Sequence, residues 1–332
     1  MLVDTFGRVA TDLRVSLTDK CNLRCSYCMP PEGLEWLPSA DVLTDDEVVR
    51  LVAVAVGEGV HEVRFTGGEP LLRRGLVSIV ERVAGLRTPD GVRPHLSLTT
   101  NGIGLAKTAD ALAAAGLDRV NVSLDTLDPE RFQQIARRDR LADVLRGMAA
   151  AEAAGLVPVK VNAVLVRGVN DDEAVPLLRW ALAAGYRLRF IEQMPLDAQH
   201  GWDRTEMVTA QEILDRLSAA FTLSVVEDEE RGSAPAEEWV VDGGPGRVGV
   251  IGSVTRPFCG ACDRVRLTAD GQLRNCLFAR EESDLRTAIR AGASDEDLAA
   301  RMRAALMAKR PGHGIDEPGF LQPVRPMSAI GG

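Results

Sequence analysis

Six short β-type runs recur along the N-terminal part of the chain, each parted from the next by a helix-type segment. They cover Leu13–Leu17, His61–Thr66, His95–Thr100, Arg119–Asp125, Val157–Val166 and Arg187–Met194. A strand that returns parallel to its predecessor needs a crossover, usually a helix, so this rhythm predicts repeated βα units and a parallel sheet or barrel. In the stretch TDDEVVRLVAVAVGEG, Thr44 is placed to cap the helix, Glu47 to close a capping box, and Gly57 or Gly59 to end the run.

Polar residues recur at alternate positions inside these runs: Ser97/Thr99/Asn101, Asn121/Ser123/Asp125, Lys160/Asn162 and Arg187/Arg189. Period two puts each set on one face of its strand. A closed eight-stranded barrel packs its interior with branched apolar side chains, so polar inner faces on six units predict an α/β fold of another kind. The expectation is an incomplete (βα)6 TIM-type barrel whose interior is a solvated ligand cavity. Solvated outer edges would account for one such strand but poorly for four.

After about residue 220 the pattern changes. FTLSVVE, EEWVVD and GRVGVIGS alternate like antiparallel strands, helix-type runs follow near 284–291 and 295–309, and a Pro- and Gly-rich tail ends in Ile330-Gly331-Gly332. The expected division is a partial barrel over residues 1–220 and a smaller C-terminal antiparallel β/helical region over 221–332. GPGRVG at Gly244–Gly249 matches a dinucleotide fingerprint letter by letter, but a strand-like VGVIGSV follows it where a helix is needed, so it reads as a hairpin turn. Neither a Gly-Lys dipeptide nor an HExxH spacing occurs, which leaves no P-loop and no zincin motif.

With 332 residues, 45% of them hydrophobic, the chain is long enough for one large domain with an appendage or for two modest domains. Its formal net charge of -9 argues against nucleic acid or an anionic membrane as partner, so any anionic ligand needs locally gathered cations. The N-terminal stretch MLVDTFGRVATDLRV lacks a signal-peptide core, and no segment approaches the roughly 18 apolar residues of a membrane span, so the chain reads as cytoplasmic.

The six cysteines fall into two triplets, Cys21/Cys25/Cys28 and Cys259/Cys262/Cys276. In a reducing compartment such clusters are metal ligands more often than disulfides, and a disulfide framework would leave each triplet with an odd thiol. The first triplet directly follows the first strand, in the kind of βα loop where barrels mount their chemistry. Iron-sulfur cubanes need one thiolate per iron, so three cysteines leave one iron open to a ligand. Structural zinc wants four closed ligands; at the second triplet, a CxxC with a distant third cysteine could recruit a histidine.

Cys-x3-Cys-x2-Cys with Tyr27 before the last cysteine resembles the radical S-adenosylmethionine (SAM) enzymes. The resemblance implies a [4Fe-4S] cluster whose open iron chelates the amino and carboxylate groups of SAM, and whose reduction yields a 5′-deoxyadenosyl radical. Thr66-Gly67-Gly68-Glu69-Pro70 is similar to that family's glycine-rich loop, and the implied SAM-binding residues are Tyr27, Gly68, Ser123 and Met194.

Taken in order, SLTDKCNLRCSYCMP, FTGGEP, LTTNG, NVSLD, VKVNAV, RFIEQM, both triplets and the terminal IGG resemble the GTP 3′,8-cyclase family of molybdenum cofactor biosynthesis along essentially the whole chain. That likeness implies a second [4Fe-4S] cluster on Cys259, Cys262 and Cys276, holding the purine of the substrate GTP. The radical is expected to take hydrogen from C3′ of GTP, and the carbon radical to attack C8, giving (8S)-3′,8-cyclo-7,8-dihydroguanosine 5′-triphosphate as the first step of molybdopterin biosynthesis. The implied GTP-binding set is Arg14, Arg64, Thr99, Lys160, Arg189, Arg264, Val265 and Arg266. Periodicity leaves open whether Arg187 or Arg189 faces inward, and the family match favours Arg189. Arg14, Gly331 and Gly332 are implied in catalysis, with the tail threading into the site where only glycine passes. The implied partners are an electron donor, the downstream cyclic pyranopterin monophosphate synthase and a possible second copy of the chain. The rivals are a radical SAM enzyme with an auxiliary cluster for peptide modification, and a non-catalytic iron-sulfur or zinc protein. RPGHGIDEPGFLQPVRPM, before the C-terminus, is richer in proline and glycine than any of this requires.

Overall fold

The computed structural model describes residues 1–226 and 231–331. The six expected strands form as β1 (Asp12–Ser16), β2 (Glu62–Thr66), β3 (His95–Thr100), β4 (Arg119–Ser123), β5 (Lys160–Val164) and β6 (Arg187–Ile191), paired in parallel and in sequence order. The connections carry α1 (Asp45–Gly57), α2 (Leu76–Ala84), α3 (Ala109–Ala114), α4 (Pro129–Ala136), α5 (Leu141–Ala153) and α6 (Ala174–Ala183), and α7 (Ala210–Ser218) follows β6. Helix α1 starts as its sequence demands. Thr44 Oγ1 accepts from the Glu47 N–H at 3.2 Å, and Glu47 Oε2 accepts from the Thr44 N–H at 2.7 Å.

The C-terminal strands refine the expectation. β7 (Leu223–Val225), β8 (Glu237–Val241) and β9 (Arg247–Ile251) form an antiparallel meander, but β9 also pairs in parallel with β6. β10 (Arg264–Leu267) pairs in parallel with β1 on the opposite flank and continues antiparallel into β11 (Gln272–Arg274) and β12 (Ser283–Asp284). One sheet results, in the order β12-β11-β10-β1-β2-β3-β4-β5-β6-β9-β8-β7, and the six parallel strands expected become eight among the described residues. GPGRVG lies at the turn between β8 and β9 and opens strand β9, as a hairpin should. The helix expected near 284–291 is the shorter Arg286–Arg290, because Ser283 and Asp284 pair in the sheet; the next runs over Asp295–Met307.

The two faces of the sheet divide the chemistry. Val15, Phe65, Leu98, Val122, Val161 and Phe190 are fully buried in one apolar core with the helices. Each such side chain stabilises the fold by about 1.5–3 kcal/mol relative to exposure. The alternate residues Arg14, Arg64, Thr99, Ser123, Asn162 and Arg189 face the other way, into the barrel.

Candidate active site

The inner faces of the strands enclose a cavity of about 250 Å³. Register places Arg266, Arg14 and Arg64 side by side on β10, β1 and β2. Neighbouring strands lie about 4.8 Å apart, so three guanidinium groups crowd one level of the barrel. One pleat lower, Arg264 and Asp12 are paired in register, and the carboxylate stands 3.9 Å from both Arg14 Nε and Arg64 Nη2. Burial, then Arg64 and Arg266, hold Arg14 well below its ordinary range, and burial brings Arg266 down to about 10. Guanidinium keeps its proton near neutral pH, so the crowding is an unmet demand for an anion. Nε of Arg14, Arg64 and Arg266 and Nη2 of Arg264 are buried without a hydrogen-bond partner. Buried donors normally have one, so these four mark where a polyanion belongs.

Arg189 is buried, donating from Nη2 to Asn121 Oδ1 at 3.0 Å and from Nε to Asn162 Oδ1 at 3.1 Å, whereas Arg187 at the strand start is exposed. Thr99 lines the same cavity. Lys160 is paired in register with Asn121 and Arg187, and burial, with Arg119 and Arg189 adding, brings its ammonium down to about 7. Val265 differs from the rest of the expected nucleotide set: it is 1% exposed within the apolar core, so only its backbone is free to face inward.

At the C-terminal end of β1 the chain turns into the first triplet. The loop is pinned by the Arg24 N–H to Ala136 O at 3.0 Å and the Ser26 N–H to Ile135 O at 2.9 Å. Burial raises the thiols of Cys21, Cys25 and Cys28, the last to about 12, and at Cys25 and Cys28 neighbouring triplet thiols add to it. Three half-buried thiols whose ionisation the surroundings disfavour fit a shared cationic core. Among the described residues no three or more His, Cys, Asp or Glu are placed to hold a single metal ion, whereas a cubane sets each thiolate on a different iron.

Gly67 and Gly68 lie against this loop. A Cβ on Gly67 would stand 2.4 Å from Thr18 O, and one on Gly68 2.3 Å from Lys20 O and 2.4 Å from Asp19 O. Their smallness therefore serves a backbone-to-backbone contact, sealed by the Gly68 N–H to Thr18 O at 2.7 Å. Tyr27, Ser123 and Met194 line the cavity.

The second triplet brackets β10 and β11. Cys259 and Cys262 precede β10 and Cys276 follows β11, so register puts them near the start of the barrel strands while the first triplet follows their ends. A five-residue strand is about 17 Å long, the scale of the separation along the barrel axis. Cys28 and all three cysteines of the second triplet touch the same cavity. Burial acts to raise Cys262, but Arg264 and Lys309 draw it down to about 7. The tail enters from the first-triplet end. Ile330 is fully buried, Ser16 Oγ donates to its carbonyl at 2.8 Å, and a Cβ on Gly331 would stand 2.2 Å from Ser16 Oγ and 2.8 Å from Thr66 Cγ2. Gly332 lies outside the described residues.

The "Radical SAM superfamily" profile matches residues 15–181 and "Molybdenum Cofactor Synthesis C" matches residues 186–315. The chain is 67% identical to a GTP 3′,8-cyclase of Streptomyces coelicolor over 100% of its own length and 96% of that protein's. Against the GTP 3′,8-cyclase of a Mycobacterium species (strain KMS) it is 62% identical, covering 100% and 93%. The chain belongs to the GTP 3′,8-cyclase family. The superfamily brings with it a [4Fe-4S] cluster and SAM. In fold, this cyclase-family chain is similar to Streptococcus suis SuiB, solved with S-adenosylmethionine, at a TM-score of 0.61 and 13% identity over 89% of this chain and 68% of that one. Among the described residues no helix is long and apolar enough to cross a membrane.

Three carboxylates to which sequence reasoning gave no role of their own brace this cyclase-family site. Glu69, fully buried, accepts from the Leu71 N–H at 3.0 Å, Thr100 Oγ1 at 2.7 Å and the Asn101 N–H at 2.7 Å, locking the glycine loop to the end of β3. Burial pushes it up to about 7. Asp125 accepts from Tyr27 Oη at 2.8 Å and from the Val164 N–H at 2.8 Å, tying the cysteine loop to β5. Glu192 accepts from the N–H groups of Ala210, Val254 and Thr255 at 2.7–2.9 Å. The available signal was an acid at a strand end beside glycine or apolar residues, where an unpaired carboxylate would be costly.

Proposed function

We propose that this chain converts GTP into (8S)-3′,8-cyclo-7,8-dihydroguanosine 5′-triphosphate, the first step of molybdopterin biosynthesis. The observation that carries the reading is the row of buried guanidinium groups, each with a nitrogen that lacks a hydrogen-bond partner, lying between two cysteine triplets. Cys21, Cys25 and Cys28 would hold the [4Fe-4S] cluster, with SAM beside Tyr27, Gly68, Ser123 and Met194. The chemistry supplied there, when both are bound, is one-electron cleavage of the sulfonium to a radical that abstracts the C3′ hydrogen.

The chain's own residues bind, orient and enclose. Arg14, Arg64 and Arg266 neutralise the triphosphate, Arg189 and Lys160 extend the cationic wall, and Thr99 offers a hydroxyl. These contacts hold C3′ and C8 of one nucleotide in a near-attack geometry, which spares the already intramolecular cyclisation the cost of freezing the ribose and base at the moment of reaction. Cys259, Cys262 and Cys276, with Arg264 beside them, would hold a second [4Fe-4S] cluster, which would supply a binding position for the purine. Gly331 lets the tail close the end of the barrel and exclude water from a reactive carbon centre, and Gly332 would join it in catalysis. The division at residue 220 then separates a radical-generating barrel from an auxiliary-cluster region. An electron donor, a downstream cyclic pyranopterin monophosphate synthase and a second copy of the chain complete the expected partners.

The test is anaerobic turnover of the reconstituted full chain with SAM, a reductant and GTP deuterated at C3′. Deuterium is expected in 5′-deoxyadenosine, and its absence during turnover rejects the proposed abstraction.

A further inference from the structure

Lys309 immediately precedes the Pro- and Gly-rich stretch that the reaction leaves unexplained, and the segment Lys309–His313 lies against the second cysteine triplet. Arg8 ties it down, donating from Nη1 to Cys259 O at 2.7 Å and Pro311 O at 3.0 Å, and from Nη2 to Arg310 O at 2.7 Å. Lys309 is only 4% exposed. Its Nζ donates to Cys262 O at 2.9 Å, to Arg264 O at 3.1 Å and to Cys262 Sγ at 3.6 Å, which uses all three ammonium protons. Among the described residues no carboxylate forms an ion pair with it. A buried ammonium needs a counter-charge, and the group in contact able to supply one is the thiolate of Cys262.

At the first triplet, by contrast, the donors to Cys21 Sγ are neutral, the Leu23 N–H at 3.5 Å and Asn101 Nδ2 at 3.9 Å, while the guanidinium of Arg24 donates to the Cys21 carbonyl at 2.7 Å and not to the sulfur. The sulfurs of Cys21 and Cys262 therefore differ in the charge of the donor that reaches them.

We propose that Lys309 is a positioning residue of the second triplet, holding Cys262 through an N–H···S contact and setting the reduction potential of the cluster bound there. The inference rests on the reading that Cys259, Cys262 and Cys276 carry a second iron-sulfur cluster. Hydrogen bonds to sulfur and net charge both tune such potentials, and a nearby cation favours the electron-richer state. Removing it drives that midpoint more negative and leaves the first cluster alone.

The experiment compares the anaerobically reconstituted full chain with Lys309→Met, Lys309→Gln and Lys309→Arg by iron and zinc content and EPR-monitored redox titration. A Cys21→Ser/Cys25→Ser/Cys28→Ser background isolates the second site. Lys309→Met is expected to shift the second midpoint by on the order of tenfold in the reduction equilibrium, about 59 mV for one electron. Lys309→Gln, a donor without charge, should fall between, and Lys309→Arg should stay near the parent. An unchanged second midpoint in Lys309→Met with full iron overturns the inference. If Lys309→Met instead loses the second cluster, recovery of cluster and potential in Lys309→Arg supports it and failure to recover overturns it. Parent protein with one cluster only, or with zinc at the second triplet, rejects the second-cluster reading and this inference together.

Discussion

Replacing Gly331 by alanine should undock the tail without unfolding the protein. Gly331 sits at φ 86 and ψ 128, a conformation that strains a residue bearing a Cβ by about 1–3 kcal/mol. The new Cβ would also stand 2.2 Å from Ser16 Oγ, so the hydroxyl must swing away from its 2.8 Å bond to Ile330 O, at a net loss of about 0.5–1.5 kcal/mol. Together these give about 1.5–4.5 kcal/mol against docking, or a roughly 10- to 2,000-fold fall in the docked population. The cost falls on a terminal segment, which opens locally while the barrel core keeps its stability. Hydrogen exchange across 322–331, iron content and cyclisation rate measured on one preparation decide the matter. Protection of the tail and cyclisation should fall together at unchanged iron and unchanged melting temperature. Ser16→Ala removes the atom that the new Cβ meets first, so Ser16→Ala and Gly331→Ala should be less than additive. Wild-type exchange and turnover in Gly331→Ala would refute the argument.

Arg14→Met removes one of three crowded buried cations, so the nucleotide-free protein should gain about 1–3 kcal/mol and melt higher, while GTP affinity falls by about 1.5–3 kcal/mol; calorimetry and nucleotide titration check both signs. Lys160 holds its proton only to about pH 7 in the fold against about 10.5 when unfolded, so the unfolded chain binds more protons between these values and stability without nucleotide should rise with pH across that window. A bound triphosphate restores the charge, so GTP binding should take up a proton above about pH 7 and weaken as pH rises further, with Lys160→Met abolishing that dependence in titrations run in two buffers. Gly68→Ala drives a Cβ into the Lys20 and Asp19 carbonyls, neither of which is a flexible side-chain end, at a cost of about 1–3 kcal/mol. Iron at the first triplet should drop while the second keeps its content, as metal analysis of triplet-deleted backgrounds can show.

Local physics made much of this protein readable in one dimension. The βα rhythm, the Thr44–Glu47 capping box, the period-two polarity of β3 to β6 and the spacing within each cysteine triplet depend on residues close in sequence, whose geometry is set by the 3.6 and 2.0 repeats. Period two also foretold that Thr99, Asn121, Ser123 and Asn162 would share a polar face. What local periodicity does not carry is which edge a distant strand chooses. β9 joins β6 and β10 joins β1, so Arg266 comes to stand beside Arg14 although 251 positions part the two residues in sequence. The same long-range pairing sets the second triplet at the opposite end of the barrel from the first, buries Arg189 while leaving Arg187 exposed, and turns Val265 into the apolar core. The glycines of TGGEP announced a close approach, but only tertiary contact showed that it is to the carbonyls of Thr18, Asp19 and Lys20. Lys309 and the Gly331 tail belong to the same class, since a buried ammonium or a missing Cβ acquires meaning only from atoms that folding brings from elsewhere in the chain.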